Sequence, residues 1–100
     1  MDIGQAIKKL RTEREMTQQE LADSVGVSIN AVSQWELGKS IPQKASIEKM
    51  CRAFSIPVSY MLMAAIEEHD IPEEKRVLYR ALLEPLRNEL LDKPEGDGRQ

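Results

Sequence analysis

The sequence predicts an all-α fold, with five short helices followed by a helical extension. Three observations carry that expectation. Apolar residues recur at three- and four-residue steps along most of the chain, the period of a helix with one buried face. Ser, Thr and Asp stand where helices start, and Gly and Pro stand where they stop. No segment alternates apolar and polar residues as a strand does, and no Asn-Gly or Asp-Gly turn joins two such runs.

Ile3, Ile7 and Leu10 share one face of a first helix expected over Ile3–Glu13, with Asp2 and Gln5 at capping-box spacing. Thr17 and Glu20 form a clearer T-x-x-E box, and Met16 and Leu21 occupy the hydrophobic-staple positions around it. Leu21, Ala22 and Val25 then make the buried stripe of a short second helix. Gly26 ends it, because a residue without Cβ enters the left-handed region at little cost. Ser28 caps a third helix, where Val27 and Val32 repeat the staple and Val32 and Trp35 face inward. Gly38 closes that helix and Pro42 prevents its continuation. Ile47, Met50, Cys51 and Phe54 lie at i, i+3, i+4 and i+7 of a fourth. Pro57 opens a fifth, with Val58, Met61, Leu62 and Ala65 expected to face inward. A second region starts at Ile71-Pro72 and is expected to be helical through about Leu91. Pro85 either kinks it or restarts it with Glu84 as cap. The expected organisation is thus a domain over 1–66, a helical extension over 67–93 and a disordered tail over 94–100.

At 100 residues, 41% hydrophobic and 31% charged, the chain has room for one compact domain and an arm. No apolar run approaches the ~18 residues of a membrane helix, and no secretory signal is visible. A lone cysteine, Cys51, fits a reducing, cytoplasmic setting. One histidine and one cysteine supply neither a nucleophile–base pair nor a metal set. His69, within Glu67-Glu68-His69-Asp70, reads as part of a solvated acidic turn. Glu73 and Glu74 suit the first turn of a helix rather than acid–base work. No enzymatic activity, metal or cofactor is therefore expected. The net charge of −3 is unevenly spread. Residues 1–66 carry eight basic and seven acidic side chains, whereas residues 67–100 carry six and ten. The acidic surplus is confined to the C-terminal third, so the first region is free to present a basic stripe.

The stretch Gln18–Leu37, QQELADSVGVSINAVSQWEL, reads as two helices joined through a glycine turn. With Val32 and Trp35 inward, the opposite face of the third helix collects Asn30, Ser33, Gln34 and Leu37, with Ile29 at its edge. Together with LRTEREMTQQELA before it and WELGKSIP after it, this pattern resembles the Xre/Cro–repressor helix-turn-helix family, over about Ile3 to Leu62. The resemblance implies a five-helix repressor-like domain whose third helix enters the major groove of double-stranded DNA. It assigns base reading to Ile29, Asn30, Ser33 and Gln34, and phosphate contact to Gln18, Lys39 and Lys44. Amides suit adenine edges, a hydroxyl suits several bases, and an aliphatic group suits a thymine methyl. Lysines suit the phosphate backbone. The resemblance also implies an ion pair between Arg11 and Glu36.

The function it implies is a sequence-specific transcriptional regulator, a repressor acting as a homodimer on an operator. Leu78, Leu82, Leu86 and Leu90, set every four residues along the extension, form the expected dimer interface, the alternatives being that this stripe folds back on the first domain and that the interface lies near the fifth helix. Two alternatives stay open: a DNA-binding antitoxin or restriction–modification controller, and a protein-interaction adaptor whose partner binds residues 67–93.

Overall fold

A computed structural model describes residues 1–91, apart from the side chain of Leu90. The expected tail over 94–100 lies outside the described residues, as does Leu90 as an interface side chain. The chain divides into two units, Met1–Ile66 and a second that begins at Glu67.

Helix α1 (Ile3–Glu13) starts where the Asp2 carboxylate accepts from the Gln5 amide at 2.9 Å. Helix α2 (Gln18–Val25) starts at a complete capping box. Glu20 N donates to the Thr17 hydroxyl at 3.0 Å, and Thr17 N donates to the Glu20 carboxylate at 2.8 Å. Such a cap is worth about 1 kcal/mol, because it satisfies amides that no helical carbonyl can reach. Gly26 ends α2 at φ 80°, and only Val27 and Ser28 intervene before α3 (Ile29–Glu36). Ser28 caps α3 by accepting from Ala31 N at 3.1 Å. Helices α4 (Lys44–Phe54) and α5 (Val58–Ala65) complete the unit.

The five helices close on one another: α1 packs against α3 and α5, α2 against α3 and α4, and α4 against α5. Ile7, Leu10, Leu21, Val32, Met50 and Met61 are sealed at their centre. Each such burial contributes about 1.5–3 kcal/mol, so this core is what holds α2 and α3 in place. One expectation needs correction. On α5, Met61 and Ala65 are buried, but Val58 and Leu62 remain 37% and 39% exposed. Leu62 lies about 100° round from Met61, and Val58 sits in the first turn, so neither reaches the seam with α1 and α4.

The second unit opens with two short 3₁₀ turns, Glu68–Asp70 and Glu73–Lys75. Helix α6 (Arg76–Leu78), a π turn (Tyr79–Leu83) and helix α7 (Glu84–Leu91) follow in direct succession. The helical extension is therefore less regular than expected, and Glu84 continues it rather than capping a new start. Pro85 has no N–H and its ring crowds the carbonyl four residues back, that of Ala81. The wider π turn immediately before it relieves that conflict without breaking the helix. Tyr79 and Leu91 are buried, while Val77, Leu78, Leu82, Leu83 and Leu86 stand 42–70% exposed.

Candidate nucleic-acid interface

Helix α3 is anchored by Val32 and Trp35, 0% and 7% exposed, and this anchoring fixes which side chains point away from the core. Ile29 and Asn30 are exposed near its start, and Ser33 and Gln34 are half-buried one turn on. Among the described residues, Asn30, Ser33 and Gln34 have no internal hydrogen-bond partner for their side chains. Polar groups left unpartnered on one helix face are available to a ligand's donors and acceptors. Leu37, just past α3, is exposed and continues that face.

Lys39 follows Gly38, whose φ of 76° turns the chain out of α3. Its backbone N–H donates to the Gln34 carbonyl at 2.9 Å, which holds the lysine beside the end of the helix. Lys44 is the first residue of α4 and exposed. Among the described residues, neither ammonium is in an ion pair.

Arg11 and Glu36 meet face to face across α1 and α3. Arg11 Nε donates to Glu36 Oε2 at 2.6 Å and Nη2 donates to Oε1 at 3.0 Å. The remaining guanidinium nitrogen, Nη1, donates to the Met16 carbonyl at 2.7 Å. The two side chains are only 10% and 4% exposed. The Glu36 hydrogen bond holds the Arg11 guanidinium above its usual range, against the effect of burial. Burial alone would push the Glu36 carboxyl up. Hydrogen bonds from Arg11 and Gln18, and the charge on Arg11, outweigh that effect and hold it below the usual carboxylate range.

Gln18 is drawn into the same cluster: its Nε2 donates to Glu36 Oε1 at 3.0 Å. One amide hydrogen is thus committed internally. Among the described residues, the other amide hydrogen and the backbone N–H groups of Gln18 and Gln19 at the start of α2 have no internal partner. Ile29, Asn30, Ser33 and Gln34 therefore share α3, Gln18 is tied to α3 through Glu36, and Lys39 flanks it. Lys44 stands apart on α4.

Two residues that sequence reasoning passed over hold this arrangement. Gly4 is buried in α1, and a Cβ there would collide with the Trp35 carbonyl oxygen and lie 3.1 Å from that of Glu36. Only glycine lets α1 approach the end of α3 so closely. The signal was a glycine inside a helical pattern, which usually has a packing reason. Arg14 donates to the Phe54 carbonyl at 3.1 Å and to the Leu10 carbonyl at 3.0 Å, with its guanidinium 5.3 Å from the Phe54 ring centre. It ties the end of α1 to the end of α4. No local pattern in the sequence marks that contact.

Elsewhere, Glu67, His69 and Asp70 bring ligand atoms within 4.8 Å of one another. Glu67 and Asp70 already cap each other's turn, with Glu67 N donating to Asp70 Oδ2 at 2.8 Å. Cys51 is buried, and burial pushes its thiol pKa up, away from the reactive thiolate. Among the described residues, no helix is long and apolar enough to cross a membrane.

A family profile described as helix-turn-helix matches residues 7–61. The HTH-type transcriptional activator BcrR of Enterococcus faecalis is 34% identical over 62 residues, covering 62% of this chain and 30% of that protein. The cryptic phage CTXphi transcriptional repressor RstR of Vibrio cholerae is 29% identical over 89 residues, covering 89% of this chain and 73% of that protein. Multiprotein-bridging factor 1 of Candida albicans is 34% identical over 56 residues, 56% of this chain and 37% of that protein. The chain thus spans less than half the length of the Enterococcus and Candida relatives.

Proposed function

Because this chain belongs to the helix-turn-helix family, we propose that it regulates transcription by binding duplex DNA in sequence-specific fashion, as a cytoplasmic repressor that occupies its operator as a homodimer. The observation that carries the reading is the face of α3. Asn30, Ser33 and Gln34 are unpartnered and Ile29 is exposed, opposite a core pair that fixes the helix rigidly. Lys39, Lys44 and the start of α2 serve the phosphates, setting register while the α3 side chains read bases. The Arg11–Glu36 pair holds α1, α2 and α3 in the geometry the groove requires. Repression follows from occupancy: a dimer spanning two half-sites about 34 Å apart excludes other proteins from the promoter, with no chemical step. The phage repressor supports this sign of regulation, since a match over 89 residues must reach into the second unit.

Selection of bound duplexes from a random pool tests the reading and yields half-site sequence and spacing together. On the selected site, Asn30→Ala or Gln34→Ala is expected to cost ~1–3 kcal/mol and to relax preference at one base pair. Lys39→Ala is expected to weaken all sequences alike and reduce the salt slope by about one. A pool that yields no preferred sequence, with affinity indifferent to salt, removes the DNA reading. A second reading, a protein-bridging adaptor, then stands on the match to multiprotein-bridging factor 1.

A further inference from the structure

Gly4, Lys8 and Arg11 stand at i, i+4 and i+7 along α1, within about 60° of one another round the helix. Two members of that stripe are fixed against the end of α3. Gly4 lies against the Trp35 and Glu36 carbonyls, and Arg11 holds the Glu36 carboxylate. Ile7 and Leu10 carry the buried face of α1 away to one side of Gly4 and Arg11, and Lys8 lies on the other. Lys8 therefore sits at the outer rim of the seam between α1 and α3. On α3, Glu36 falls between the buried Val32 and the exposed Ile29 in helical rotation, so α1 borders the outward face on its Ile29 and Ser33 side. Lys8 is exposed and, among the described residues, its ammonium has no hydrogen bond or ion pair. Its charge nevertheless reaches Glu36 and helps to hold that carboxyl below its usual range. Lys9, about 100° further round α1, turns away from α3 and pairs with Glu13 at 3.2 Å.

We infer that Lys8 contacts a backbone phosphate of the duplex, extending the footprint from α2 and α3 onto α1. The inference rests on the DNA reading above and adds a contact residue to it. A phosphate suits this position better than a base. Helix α1 lies beside the reading face rather than on it, and an ammonium on a flexible stem binds as a point charge without the geometry a base edge demands. No internal anion claims Lys8, because both Glu36 oxygens are already taken by Arg11 and Gln18. Lys8 then stands beside α3 while Lys39 stands beyond its last turn. Two phosphate contacts on different sides of one helix fix its tilt in the groove as well as its position, which a single contact does not.

The test uses the full chain, a duplex of the selected site, and the same duplex with single phosphates replaced by neutral methylphosphonates. Lys8→Ala is expected to reduce the salt slope by about one, so that raising salt from about 50 to about 200 mM costs the variant about threefold less affinity than it costs the original chain. Lys8→Gln, which keeps the stem and loses the charge, is expected to match it. Lys9→Ala is expected to leave the slope unchanged. Methylphosphonate at one position is expected to weaken the original chain and Lys9→Ala alike, and to leave Lys8→Ala indifferent. A duplex affinity indifferent to salt in the original chain overturns the DNA reading and this inference together. A slope that falls for Lys39→Ala and not for Lys8→Ala overturns this inference alone. Equal falls for Lys8→Ala and Lys9→Ala overturn it too, since they report net charge rather than a contact. A Lys8→Ala variant that keeps every methylphosphonate effect and shifts only the acid limb of urea unfolding assigns Lys8 to Glu36, and removes the phosphate contact.

Discussion

The two units treat their apolar residues in opposite ways. In Met1–Ile66, Ile7, Leu10, Leu21, Val32, Met50 and Met61 are at most 1% exposed, closed in by five helices from every side. Among the described residues of the unit that begins at Glu67, two large apolar side chains, Tyr79 and Leu91, are buried and five stand 42–70% exposed. The same residue types at the same helical spacing thus serve two ends. The first unit spends them on a rigid frame that fixes the direction of α3; the second leaves most of them exposed among the described residues. The difference shows that a helical apolar period reports an amphipathic face and leaves open what covers it.

The comparison breaks most visibly at the Arg11–Glu36 pair, if the first unit is as closed as its burial implies. Glu36→Leu or Arg11→Met leaves an uncompensated buried charge and is expected to cost about 3–5 kcal/mol in urea unfolding. The double variant is expected to lose less than the sum of the two, since no lone charge remains. Additive losses would mean that the pair does not act as a unit. The pair also sets a pH signature. Glu36 has a carboxyl pKa below its ordinary value of 4.5, so its contribution is complete above that value. It is lost as pH falls below 4.5 through the folded-state pKa. The acid limb of the stability curve should therefore be shallower in the double variant than in the original chain.

Gly4→Ala probes the same frame by a smaller step. The added methyl meets the Trp35 backbone carbonyl, which cannot rotate aside as a side chain would. The expected loss is about 1–3 kcal/mol, with weaker duplex binding because the end of α3 is displaced. Full stability would show that α1 slides without penalty and that the frame is looser than its burial suggests. Leu82→Ala, in the second unit, is expected to change the unfolding free energy by no more than about 0.5 kcal/mol at concentrations where the chain is monomeric. A loss of several kcal/mol there would show that the leucine strip belongs to the folded core of a single chain.

What was legible in the sequence was local. The capping box at Thr17 and Glu20, the serine cap at Ser28 and the left-handed Gly26 each depend on atoms within a few residues, so their chemistry can be read from spacing alone. The outward face of α3 was legible for the same reason, because Val32 and Trp35 settle which way that helix turns. Arg11 and Glu36 were named as partners only through the family resemblance, since nothing in the spacing of residues 25 apart dictates a contact.

The sequence by itself thus determined five helices, their ends and most of their apolar faces, because hydrogen bonding and capping operate within one or two turns. The tertiary structure decided that Gly4 admits the end of α3, that Gln18 gives one amide hydrogen to Glu36, and that Val58 and Leu62 miss the core. It also decided that Leu78, Leu82, Leu83 and Leu86 stay exposed while Leu91 is buried. Each of these depends on which surfaces meet across the fold, and packing between distant segments leaves no periodic mark in the chain that makes it.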